Sequence, residues 1–200
     1  MPCKRNSLNL CHLIFIMSYD LFLYKSDMGK PDIDEATKVI EDDNDNLAKK
    51  SNNYTTKIAI EKALIQADAT LKGFDYEQLA RKRGEKVDEF KQTFNRFPLT
   101  SIDGSDIQLD IYDYHVAITV PFIHQGSEAK RVFQKLQLYV NTISKIAGYF
   151  LYDPQAGEAF DPSTKRLVGL AKYLSVSNDF EAVVGLVETK ERKKPWWKLW

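Results

Sequence analysis

Catalysis near neutral pH needs a group that titrates there and partners that orient it, and histidine is the side chain that does so unaided. The chain has three histidines, and two of them, His115 and His124, fall inside the segment that reads as folded. His124 opens the polar run His124-Gln125-Gly126-Ser127 ahead of a predicted helix, with Glu128 just beyond. An enzyme using His124 with Glu128 is therefore one reading. No nucleophile elbow, His-Glu-x-x-His spacing or Gly-rich phosphate loop accompanies it, so no residue is assigned a catalytic role. His115 lies opposite Val116 and Ile118 on a strand and is expected to face solvent or a second layer. Two histidines and scattered carboxylates such as Asp110 and Asp113 fall short of a metal set. Asp32, Asp34, Glu35, Glu41, Asp42, Asp43 and Asp45 form an acidic run against Lys38. A calcium loop beginning at Asp42 would place Leu47 where glycine is needed and Asn53 where glutamate is needed. The run reads instead as a solvated acidic helix and loop, or as a patch for a basic partner. No cofactor or metal is expected.

Two other groups could bind. Tyr152-Asp153-Pro154-Gln155 ends a strand: Pro154 stops the ladder and Asp153 can accept local backbone N–H groups. At the carboxyl end of a strand parallel to its predecessor, Tyr152, Asp153 and Gln155 could instead contact a ligand. The terminal run Lys193-Lys194-Pro195-Trp196-Trp197-Lys198-Leu199-Trp200 holds all three tryptophans of the chain. Trp196, Trp197 and Trp200 with Lys193, Lys194 and Lys198 suit an apolar groove on this protein or a partner, or a membrane interface. So short a segment gives only one weak membrane attachment, so docking ranks above lipid.

These groups must be positioned by elements, and Ile107 to Asp153 organises them. Ile107, Leu109 and Ile111, then Tyr114, Val116, Ile118 and Val120, alternate with polar or small residues, which predicts a hairpin turning at Tyr112-Asp113. A single long bent strand fits nearly as well, because that turn lacks glycine. Pro121 ends the strand. Ser127 is the expected N-cap of a helix in which Ala129, Val132, Phe133, Leu136, Val140, Ile143 and Ala147 recur at three- and four-residue spacing. Gly148 suits a left-handed C-cap, and Tyr149 to Tyr152 reads as a strand. Strand, helix, strand in this order is a βαβ crossover, so the last strand should run parallel to the one before the helix. The expected fold is a single α/β or α+β domain, a mixed sheet with helices packed on it, containing a β-hairpin-α-β unit.

Earlier in the chain, Met17 to Tyr24 reads as a central strand. Ile33, Ala36, Val39 and Ile40 make a short helical stripe. Thr55 to Leu71 predicts a helix, with Ile60, Leu64, Ala67 and Leu71 on one face, and Phe74 to Phe94 a second one weakened at Gly84. Later, Asp161-Pro162-Ser163 is expected to start a helix carrying Leu167, Leu170, Ala171 and Leu174, and Phe180 to Val187 leaves helix and strand open. At 200 residues one core suffices, and 28 basic against 28 acidic residues leave no net charge, so nucleic acid is not an expected partner. Cys3 and Cys11 offer no disulfide framework, which fits a reducing cytoplasm. Residues 1–16 imitate a signal peptide weakly and are expected to be a non-functional extension ahead of a start at Met17. The domain is then 17–187, with 188–200 as a basic, Trp-rich tail.

Met17-Ser18-Tyr19-Asp20-Leu21, together with Gly148-Tyr149-Phe150-Leu151-Tyr152-Asp153-Pro154-Gln155, resembles two short motifs of a loose group of small bacterial proteins. The motifs bracket about two thirds of the chain. The resemblance implies a cytoplasmic α/β fold and, more weakly, similarity to immunity proteins that neutralise delivered toxins; it brings no catalytic residues. The expected function is noncatalytic binding of another protein, with a toxin as the concrete guess. A peripheral membrane adaptor acting through the tail is second, and an enzyme using His124 third.

Overall fold

A computed structural model of the protein describes residues 18–45 and 53–178. The strands are β1 (Ser18–Tyr24), β2 (Leu71–Gly73), β3 (Phe97–Ser101), β4 (Gln108–Ile111), β5 (His115–Pro121), β6 (Phe150–Asp153) and β7 (Glu158–Phe160). The helices are α1 (Ile33–Asp45), α2 (Tyr54–Ala67), α3 (Tyr76–Arg83), α4 (Val87–Lys91) and α5 (Gly126–Ala147), followed by α6 (170–178). The strands form one sheet in the order β2-β3-β4-β5-β1-β6-β7, and helices pack on it.

Every pairing in the sheet is antiparallel. β5 and β6 do run in the same direction, as the crossover through α5 requires, but β1 lies between them and pairs with both. The sheet is therefore antiparallel throughout and not mixed as expected, because β1 inserts between the two strands that share a direction. β1 is the central strand that its apolar run Leu21-Phe22-Leu23 demands.

Period-two alternation sorts the residues onto two faces. Phe97, Ile111, Val116, Leu23, Leu151 and Phe160 stand in one continuous row across six strands, and all are buried. On the other face, the row Pro98, Asp110, Ala117, Phe22, Tyr152 and Ala159 is only half-buried. The hairpin closes without glycine through Tyr112 N–H to the His115 carbonyl at 2.9 Å, so two strands rather than one bent strand are formed.

α5 buries Ala129, Val132, Phe133, Leu136, Val140 and Ile143 as expected, with Tyr139 added and Ala147 only half-buried. Its N-cap is Gln125, not Ser127. The Gln125 carbonyl accepts the N–H groups of Glu128 and Ala129, which places Ser127 inside the exposed first turn. Gly148 caps the other end at φ 68°, in the left-handed region where a side chain is disfavoured.

Two predicted helices are shorter than their apolar spacing suggests. α2 stops at Ala67 because Asp68 turns extended and its carboxylate accepts Thr70 N–H and Oγ1, at 2.9 and 2.6 Å. Leu71 is buried, but as part of β2. Asp161-Pro162-Ser163 forms a single turn and no helix: Lys165 N–H bonds the Asp161 carbonyl, but Asp161 Oδ1 takes the Ser163 N–H at 2.8 Å and Gln137 Oε1 takes that of Leu167, so the turn is not propagated. Helix resumes at 170, carrying the buried Tyr173. The Phe74 to Phe94 stretch is divided at Gly84 into α3 and α4. Residues 1–17, 180–187 and the tail lie outside the described residues, and with them the expectations placed there.

Candidate functional site

His124 is buried, and its Nε2 lies 2.8 Å from the Ser105 carbonyl oxygen, a contact in which the ring nitrogen must donate. Its own carbonyl accepts from Ser177 Oγ at 2.9 Å. Glu128 is committed elsewhere, to Arg131, whose guanidinium holds its carboxyl below the usual range. The pair that could have worked as acid and base is thus divided between two structural roles. His115 belongs to the second layer: it is buried, stacked on Tyr112 with centroids 4.3 Å apart.

Asp153 is also consumed by the fold. Tyr19 Oη donates to its Oδ2 at 2.5 Å, and Ala156 N–H donates to its Oδ1 at 2.9 Å, closing the β6–β7 turn. Burial first and then this carboxylate push the Tyr19 phenol upward. Tyr152 points to the opposite face and stacks with Phe22, and Gln155 is half-buried, its carbonyl bound by Lys172. Tyr152, Asp153 and Gln155 therefore do not converge on one cavity. Trp196, Trp197, Trp200, Lys193, Lys194 and Lys198 lie outside the described residues.

A network that sequence spacing did not foretell joins α2, β2, the β3–β4 loop and α5. Lys135 Nζ reaches Asp68 Oδ2 at 2.7 Å and Asp103 Oδ2 at 2.6 Å, Tyr139 Oη donates to Asp68 at 2.5 Å, and Arg131 bridges Asp103 and Glu128. Burial alone would raise both aspartates. Bonds from Lys135 to each, with Thr70 and Tyr139 on Asp68 and with Ser105 and Arg131 on Asp103, outweigh it and hold both well below the ordinary carboxylate range. Each acceptor is satisfied, so the network fastens α5 to the sheet. Among the described residues no group of His, Cys, Asp and Glu is placed to hold a metal ion.

The site best built to receive something is an aromatic cleft of about 710 Å³, lined by Phe74, Tyr76, Thr93, Phe94, Asn95, Arg96, Pro98 and Tyr112. Its size falls in the range of ligand pockets. Phe74 meets Tyr76 edge-on at 5.1 Å and Tyr76 meets Phe94 at 5.2 Å, and Phe74 is 49% exposed. An aromatic this exposed on an aromatic wall is costly to leave in water.

The walls are fixed from beneath by Lys57, which is fully buried on α2. Its ammonium donates to the Phe94 and Asn95 carbonyls at 3.0 and 2.6 Å, pairs with Asp113 Oδ1 at 2.9 Å, and lies 4.5 Å from the Phe97 ring centroid. One cation thus ties the Phe94-Asn95 wall to the turn carrying Tyr112. Tyr76 Oη donates to the Arg96 carbonyl at 3.2 Å, and burial pushes that phenol upward. At the rim, Arg96 lies 3.5 Å from Asp110, whose carboxyl is raised by burial, against the opposing pull of Arg96. Among the described residues, Thr93 and two tyrosines are the only hydroxyls lining the cleft, and no histidine, cysteine or carboxylate lines it. The arrangement presents rigid apolar area with one guanidinium, which is equipment for binding. Only the separate clustering of aromatics at 74–76, 90–97 and 112–114 hinted at it in the sequence.

Compared with known proteins, the chain matches no protein-family model, no curated sequence and no solved structure. The described residues form an α+β domain with one antiparallel sheet and an aromatic cleft at the β3 end.

Proposed function

We propose that the protein is a noncatalytic protein-binding module whose aromatic cleft receives an extended segment of another protein, one bearing proline or an aromatic side chain. An immunity protein that neutralises a toxin in the bacterial cytoplasm is the concrete form of this reading. The observation that carries it is Phe74: half exposed, on a wall with Tyr76 and Phe94 that Lys57 ties down through the Phe94 and Asn95 carbonyls. Aromatic-lined grooves recognise proline-rich and aromatic anchors because rigid rings bury large area at little entropic cost. Preorganisation lowers the cost of association further.

The test compares capture from the native cells by the intact protein and by Phe74→Ala. Residue 74 lies outside the sheet core, so the variant should keep its melting temperature while losing a stoichiometric partner. A partner retained equally by both would remove the cleft from the reading.

The second reading, a peripheral membrane adaptor, rests on the three tryptophans among cations in the last five residues. Among the described residues no helix is long and apolar enough to cross a membrane, so attachment would fall to that tail. Sedimentation with anionic vesicles that disappears on removal of Pro195 to Trp200 would favour the adaptor.

A further inference from the structure

A second cleft, of about 550 Å³, opens between the last two turns of α5 and the turn that follows β7. Asn141, Ser144 and Lys145 line it from the helix, at spacings that share one helical face, and Ser163, Lys165 and Arg166 from the turn. Among the described residues no aspartate or glutamate lines it. Lys165 is neutralised by Glu158, but Lys145 and Arg166 have no carboxylate partner among the described residues. Lys145 alone would need no ligand, because a cation in the final turn offsets the helix dipole. Arg166 comes from another element and has no such role.

The frame between the two cations is fixed. Gln137 Oε1 accepts the Leu167 N–H at 2.8 Å, and its Nε2 donates to Asn141 Oδ1 at 2.8 Å. The Leu167 bond locks the turn to the helix, and the Gln137 amide turns Asn141 Oδ1 toward itself, leaving Asn141 Nδ2 as donor. The free polar groups of the cleft are then two cations, one amide donor and the hydroxyls of Ser144 and Ser163. Such a set matches an oxyanion, and a guanidinium beside an ammonium suits the tetrahedral oxygens of phosphate.

We propose that this cleft binds a phosphate ester through Lys145 and Arg166, with Asn141 and Ser163 as further donors, independently of the aromatic cleft. The probe is pyrophosphate, titrated into the full-length protein at low salt and followed by calorimetry. Saturable binding is expected, weakened roughly tenfold or more by K145A/R166A, since each charge-assisted contact contributes about as much. K62A/K130A, which removes two exposed lysines elsewhere, is expected to leave it unchanged. R166K should fall between, because lysine keeps the charge and loses the paired donors. The absence of saturable binding, or equal weakening by K62A/K130A, would overturn the proposal. Phosphatidylcholine vesicles doped with phosphatidic acid separate the two sources of phosphate. Vesicle binding lost in K145A/R166A and displaced by pyrophosphate assigns a lipid headgroup, while pyrophosphate binding without it assigns a soluble phosphate.

Discussion

The Lys57 ammonium, fully buried, lies 2.9 Å from Asp113 Oδ1, joining α2 to the β4–β5 turn across 56 residues of sequence. The same nitrogen bonds the Phe94 and Asn95 carbonyls, so one side chain positions two walls of the aromatic cleft. A long cationic side chain is buried only where its charge and donors are met.

Lys57→Met is therefore expected to destabilise the protein by about 3–5 kcal/mol, because the buried Asp113 charge and two carbonyls each lose a cationic partner. Urea unfolding followed by circular dichroism measures it. A loss under about 1 kcal/mol would mean that water or another cation takes over, and that the cleft is not held from below.

Gly169 lies against Tyr19. A Cβ added there would overlap the Tyr19 hydroxyl and stand 2.7 Å from Cζ, while that hydroxyl is tied to Asp153 at 2.5 Å. The ring is hemmed in by Phe122, Phe133 and Tyr173, so it has little room to retreat. Gly169→Ala should cost about 1–3 kcal/mol, as overpacking of a well-filled core does. An unchanged melting temperature would show that α6 shifts freely over the sheet.

Asp68 gives the acid side of the stability profile its sign. Burial would raise its carboxyl, yet bonds from Lys135, Thr70 and Tyr139 hold it well below the usual range. A depressed folded-state value means that the unfolded chain takes up the proton first. The contribution is thus complete above about pH 4 and is lost as pH falls from there toward the folded value. Asp68→Asn should be less stable than the parent at neutral pH and should show a shallower decline below pH 4, by urea midpoints at stepped pH. A decline as steep as the parent's would move the acid sensitivity elsewhere, with Asp103 the next to change.

Local chemistry was enough to write down α5, because a stripe of apolar residues at helical spacing ending in Gly148 leaves the chain one low-energy way to bury that face. Alternation likewise marked strand from Ile107 to Pro121, leaving a hairpin and one bent strand open, and the apolar run of β1 marked a central strand. These elements gave one domain of helices on a sheet and left α/β and α+β open; the all-antiparallel pairing decides for α+β. Where Asp68 and Asp161 sit, apolar spacing predicted helix, and their carboxylates, accepting the N–H groups of Thr70 and Ser163, ended or prevented it in the fold. That β1 parts β5 from β6 is settled by the register of three strands at once, which no local pattern encodes. The aromatic cleft was illegible for the same reason: Phe74, Phe94, Pro98 and Tyr112 come from separate segments, and the cation that joins two of their walls reads in sequence as one more solvated lysine on an amphipathic helix. Periodicity reports which face of an element is apolar. Which faces meet, and which charge is drawn inside between them, depends on distances across the chain that only the packed structure sets.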